Sequence, residues 1–181
     1  TFMLGAVLGD IVGSPFEYEN HRSPFFSFLG EKNFFTDETV IMAAVTDILN
    51  SGKELTPDYI SDELRVWMLS HSERVPGAIF IRWCYSNNNM SYNSTGNQAL
   101  IRAIPIVKWA VKKGLSLNDT LALVKDFVVV THDSFDAIKA SETYATLLYR
   151  LMKEIKDPQE QEEDCKELLI AVCVGLGQVD M

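Results

Sequence analysis

The sequence predicts an all-α fold, one compact domain of about eight helices. Apolar residues recur at helical spacing along most of the chain. N-caps, prolines at first helical positions and closing glycines frame those runs. No internal repeat, domain linker or low-complexity segment interrupts the pattern.

The elements follow in order. Gly5, Gly9 and Gly13 lie four apart and line one side of a first helix. Each glycine costs about 1 kcal/mol against alanine in a helix interior, so the spacing predicts close approach of another helix along that side. Pro15 ends this helix and leaves Glu17 on a loop beside its C-terminal end. Residues 37–50 carry Val40, Ile41, Ala44, Val45, Ile48 and Leu49 on one face, with Thr36 as N-cap and Gly52 as a stop. Thr56 and Pro57 open the next helix, whose apolar face is Ile60, Leu64, Trp67 and Met68. Residues 25–35 and 86–96 read as the two real loops. A polar loop with Gly96 then opens a helix that a proline kink at Pro105 interrupts and Gly114 closes. Ser116 to Asp119 resembles a capping box and starts the run Leu121 to Val130. Val128, Val129 and Val130 have strand chemistry, but inside that capped frame they are read as helix. Asp157-Pro158-Gln159-Glu160 starts another helix, with Cys165, Leu168, Leu169, Val172 and Cys173 as its apolar residues.

Charge excludes several function classes. The 16 basic and 25 acidic residues give a formal net charge of −9, which repels phosphate backbones and argues against nucleic acid as a partner. No apolar run approaches the roughly 20 residues of a membrane span. The cysteines, Cys84, Cys165 and Cys173, are odd in number and lack a C-x-x-C spacing, so free thiols in a reducing compartment are expected. The opening residues lack a charged region ahead of an apolar one, and a cytoplasmic location is expected.

Four stretches hold residues suited to chemistry. Asp10 is an acid inside an otherwise apolar helix and needs a partner; Glu17 sits where the helix dipole gives its charge no help. Thr36, Asp37 and Glu38 form a hydroxyl and two carboxylates at one helix start. Their spacing fits first an N-cap with an acid-rich first turn, a common arrangement, and it also admits an all-oxygen site for a hard cation such as Mg²⁺. Ser94-Thr95-Gly96-Asn97 opens a helix whose free N–H groups can cradle a phosphate or diphosphate, with Arg102 about one turn inside. His132, in Thr131-His132-Asp133-Ser134, stands at a junction between helices and suits either a ligand contact or a helix-end cap. His21 and His71 have no companion motif and read as surface residues.

In this order and spacing, the four stretches resemble one family, the ADP-ribosylglycohydrolases. Gly9-Asp10-Ile11-Val12-Gly13-Ser14-Pro15-Phe16-Glu17 looks like the family's G-D-x-x-G-x-x-x-E. Phe35-Thr36-Asp37-Glu38-Thr39 is similar to its F-T-D-D-T, and Ser94 to Arg102 resembles its S-x-G-N-G-x-x-M-R loop. Thr131-His132 looks like its T-H segment. The resemblance implies an all-α fold around a cleft for two Mg²⁺ ions. It implies hydrolysis of the glycosidic bond between ADP-ribose and a protein side chain or related acceptor. Carried over, Thr36, Asp37 and Glu38 match metal ligands, and Glu17 and Asp37 are the expected catalytic acids. Asp10, Ser94, Thr95, Gly96, Asn97 and His132 form the expected ligand-binding set. ADP-ribose or an ADP-ribosylated protein is the expected partner.

The sequence departs from the pattern at several points. Glu38 stands where the family has Asp, Gln98 replaces a glycine, and Phe135 replaces a proline. The extra methylene of Glu38 fits octahedral Mg²⁺ poorly, and a side chain at 98 is expected to obstruct ligand approach. The family's second metal motif, S-G-D-x-D-T, does not occur before Met181, so the domain reads as incomplete, with its C-terminal helices missing. At most one Mg²⁺, weakly held, is then expected. The alternative reading is a catalytically inactive, truncated homologue that binds ADP-ribose or a protein partner, and the missing ligands favour it. The apolar run Leu168 to Val174 would lack cover, which predicts a homodimer.

Overall fold

The computed structural model describes residues 2–17, 21–74, 77–86 and 88–153. Among them are seven α-helices and no strand. They are α1 (Phe2–Gly13), α2 (Asp37–Asn50), α3 (Pro57–Ser70), α4 (Ala78–Tyr85), α5 (Gln98–Lys113), α6 (Leu117–Val129) and α7 (Phe135–Lys153). No helix among the described residues is long and apolar enough to cross a membrane. The expected helix after Asp157, Cys165 and Cys173, and the apolar run behind the dimer expectation lie outside the described residues.

Local signals set the helix boundaries. Thr36, Thr56 and Ser116 each accept a backbone N–H at the start of α2, α3 and α6, as expected of N-caps. Pro57 occupies the first turn of α3. Gly114 ends α5 in the left-handed region at φ 75°, where a side chain would be strained. Pro105 sits inside α5, which continues through it to Lys113. The valine run stays helical to Val129. The two expected loops are present, slightly longer than predicted: helix-free backbone covers residues 21–36 and 86–97 among the described residues.

One hydrophobic cluster holds these helices together. The α2 face contributes Ile41, Ala44, Val45 and Ile48, all essentially inaccessible. Against it pack Ile60, Leu64 and Met68 of α3, Ala99, Ala103, Ile106 and Val107 of α5, and Val124, Phe127 and Val128 of α6. Trp67 packs at the margin, where His71 stacks on it. His21 is exposed, as expected, and His71 is half-buried.

Helix directions bring particular ends together. Gln98 bonds Asp37 at the starts of α5 and α2, while Thr46 and Leu49 share a groove with Lys108 and Lys112 further along both helices. Thus α2 and α5 run parallel, with their first turns adjacent. Helix α1 runs the other way along α2, with Met3 beside Thr46 and Asp10 beside Thr36. Helix α7 lies along α5, and the Tyr149 hydroxyl donates to the Leu115 carbonyl at 2.7 Å.

The glycine side of α1 corrects an expectation. A Cβ placed on Gly5, Gly9 or Gly13 would meet nothing within 4 Å, and Leu4 and Leu8 are exposed. No helix approaches that side among the described residues. Helix α1 docks instead through Met3, Ala6 and Val7, which pack on the core, and through Asp10.

Candidate functional site

The site lies where the starts of α2 and α5, the end of α1 and the turn after α6 meet. Asp10 finds its partner there. Its Oδ2 accepts the Thr36 N–H at 2.8 Å and the Thr39 hydroxyl at 2.5 Å. Its Oδ1 lies 2.6 Å from Thr36 Oγ1, which is also 2.5 Å from Glu38 Oε2. A hydroxyl has one hydrogen to donate, so it serves one carboxylate at a time. The same oxygen accepts the Glu38 N–H at 3.2 Å, which makes Thr36 the N-cap of α2 as well as the bridge between two acids.

Asp37 is directed inward. It is 4% exposed, and the Gln98 side-chain amide donates to its Oδ2. Burial, reinforced by the charge of Glu38 beside it, pushes the Asp37 carboxyl up to about 7. Among the described residues, no Lys, Arg or His forms an ion pair with Asp10, Asp37 or Glu38. Nor are any three His, Cys, Asp or Glu side chains there drawn together into a ready metal cage.

The loop before α5 supplies the second half. The Ser94 N–H donates to the Thr131 carbonyl at 2.8 Å, and the Ser94 hydroxyl accepts the Gly96 N–H at 3.1 Å. Thr95, Gly96 and Asn97 are exposed. Asn97 precedes α5 without a side-chain cap bond, so this helix start differs from those of α2, α3 and α6. Asn93 turns the chain at φ 49°, a conformation asparagine tolerates well.

His132 lies fully buried beneath this loop. Its Nδ1 is 2.8 Å from Thr131 Oγ1, while its Nε2 faces Gly96 and has no hydrogen-bond partner among the described residues. Burial, with the nearby charge of Arg102, holds its pKa down to about 4, so the ring is neutral at pH 7. Arg102 is itself inaccessible and donates to the Phe127 carbonyl at 2.6 Å, one of the last carbonyls of α6.

The structure therefore brings Asp10, Thr36, Asp37 and Glu38 together, and joins them to the Ser94–Asn97 loop through Gln98. Glu17 is exposed at the end of the turn after α1, and its side chain joins no hydrogen bond of this cluster. Sequence reasoning missed Thr39 and the partner of Gln98. Thr39 had a signal, since it lies three residues after Thr36 on the first turn of α2.

Searches of curated proteins and of solved structures found no match. The ADP-ribosylglycohydrolase family model matches residues 1–177, nearly the whole chain. The order of the motifs, the all-α fold and this match agree: the chain belongs to the ADP-ribosylglycohydrolase family.

Proposed function

We propose that this family member binds the ADP-ribosyl group of a modified protein at the adjoining starts of α2 and α5 and hydrolyses its glycosidic bond with one hard divalent cation. The observation that supports this best is the contrast between the two helix starts. At that of α2, Asp37 and Glu38 meet Asp10 of α1, three carboxylates without a basic partner among the described residues; that of α5 has no side-chain cap. Carboxylate and hydroxyl oxygens suit a cation such as Mg²⁺, and free N–H groups at a helix start suit a diphosphate. Thr36 suits a cation in particular. Its single hydrogen sits between two carboxylate oxygens, and a positive charge there would relieve their contact.

In this reading Thr36, Asp37 and Glu38 hold the cation, and Asp10 fixes Thr36. A bound divalent ion orients ribose hydroxyls and lowers the pKa of a bound water. Ser94, Gly96 and Asn97 bind and orient the diphosphate, with Thr95 exposed beside them. His132, neutral at pH 7, supports Gly96 from below without adding charge. Glu17, exposed after α1, is the acid assigned to exchange a proton with the substrate.

A second reading is a catalytically inactive homologue that binds ADP-ribose or a protein partner. The bond from Gln98 to a nearly inaccessible Asp37 favours it, because a metal ligand is already occupied. The deciding experiment measures ADP-ribose release from modified protein in Mg²⁺, with and without chelator, beside Asp37→Ala. Release that needs Mg²⁺ and disappears in Asp37→Ala is expected. ADP-ribose binding without any release would select the second reading.

A further inference from the structure

We infer that Gln98 is an intramolecular competitor for the cation, its side-chain amide occupying Asp37 and thereby setting how tightly a divalent ion binds at the start of α2. This rests on the cation reading of the same site.

The bond joins residues 61 apart in sequence and links the first turn of α5 to the first turn of α2. Both partners are buried, Asp37 at 4% exposure and Gln98 at 8%. In so closed a place, solvent does not freely replace the amide, and a hydrogen bond to a charged acceptor is stronger than one in water. Asp37 Oδ2 is therefore engaged before any ion arrives. Thr36 Oγ1 is engaged too, by Asp10, Glu38 and the Glu38 N–H. An ion entering here must displace the amide of Gln98 or accept a poorer ligand set.

The position of Gln98 extends the consequence. It is the first residue of α5, directly after the Ser94–Asn97 loop. Its side chain therefore does not lie free over that loop as an obstruction; it is spent on Asp37.

The test titrates Mn²⁺ into the full chain by calorimetry, for wild type, Gln98→Ala, Gln98→Leu and Asp37→Ala, after circular dichroism has checked each for folding. Leucine keeps the bulk and removes the donor. Both Gln98 variants should bind Mn²⁺ about ten- to a hundredfold more tightly, the worth of a hydrogen bond to a charged group. Asp37→Ala should abolish binding. Unchanged or weaker affinity in both Gln98 variants, with wild-type binding still dependent on Asp37, would overturn the competition and leave the cation site standing. Tightening by alanine alone would assign the effect to bulk, and overturn it as well. No Mn²⁺ binding by any of the four chains would overturn the cation reading itself, and the competition with it.

Discussion

Replacing Asp10 with alanine should loosen α1 from the rest of the fold. The carboxylate accepts three hydrogen bonds, from the Thr36 N–H, the Thr36 hydroxyl and the Thr39 hydroxyl. A hydrogen bond to a charged group contributes about 1.5–3 kcal/mol, but the three do not simply add. The Thr36 hydroxyl has Glu38 as a ready alternative at 2.5 Å. The Thr39 hydroxyl can turn to a carbonyl of the preceding turn. The Thr36 N–H has no such substitute in its buried setting. The expected loss is therefore about 2–4 kcal/mol, a large share of the roughly 5–15 kcal/mol that holds a domain folded. It should appear first as local opening, because α1 is otherwise attached by the packing of Met3, Ala6 and Val7 and by the Asn33 side-chain amide donating to the Ile11 carbonyl at 2.8 Å. Hydrogen exchange of the amides of residues 2–13 measures this directly. They should exchange about 30- to 1,000-fold faster in Asp10→Ala, at about 1.4 kcal/mol per tenfold. Asp10→Asn should lose at least as much, since its NH₂ faces donors. A loss under about 0.5 kcal/mol in urea unfolding, with α1 protection unchanged, would refute the assignment of Asp10 as the clamp.

Two further outcomes are expected. Arg65 donates to the Asn88 carbonyl at 2.6 Å and to Asn89, and its guanidinium lies 4.2 Å from the Trp83 ring centroid. Arg65→Lys should therefore cost about 2 kcal/mol and expose residues 86–93 to limited proteolysis; retained resistance would count against this role. His132 stays neutral in the fold down to about pH 4, whereas in the unfolded chain it takes up a proton near 6.5. Its contribution, at most about 3 kcal/mol, is complete above pH 6.5 and is lost as the pH falls toward 4. Asp37, pushed up to about 7, acts with the opposite sign, and its contribution is lost as pH rises through that value. In chelator, wild-type stability should thus vary little between pH 4 and 7. It should fall with rising pH in His132→Leu and rise in Asp37→Asn, and slopes of the same sign in the two variants would contradict the assignment.

Local chemistry was legible in the sequence, and pairing across the fold was not. Thr36, Thr56 and Ser116 were readable as caps because a cap acts on an N–H two or three residues away. The faces of α2 and α3 were readable because helical period alone selects them. The all-α class followed from both. Gln98 was noticed only as a side chain in place of a glycine. Its partner lies 61 residues earlier, and no local rule pairs the two. Asp10 was recognised as an acid in need of a partner, but which hydroxyls answer it depends on α1 running against α2. The glycine spacing of α1 misled for a related reason. Small residues permit close approach but do not compel it, and the apolar residues on the other side of α1 made the contact.

The parallel course of α2 and α5 has an electrostatic consequence for ligand binding. Each helix start carries about half a positive charge, so two adjacent starts supply about one. Three carboxylates, Asp10, Asp37 and Glu38, are concentrated at the first of them, with no ion pair to a basic side chain among the described residues. When all three are ionised, the field there is negative by about two charges once the helix ends are counted. A diphosphate drawn to the uncapped start of α5 must approach against that field. A divalent cation at Thr36, Asp37 and Glu38 would cancel it, so that the same ion serving the ribose would also admit the diphosphate. Binding of ADP-ribose and of the cation would then strengthen each other by an equal factor, as linkage requires. Gln98 stands on the path between them, since it opens α5 and holds Asp37 at the same time. A neutral amide quiets one carboxylate by a hydrogen bond without changing the net charge, which is why it can hold the site together yet cannot do what the cation would do for an anionic ligand.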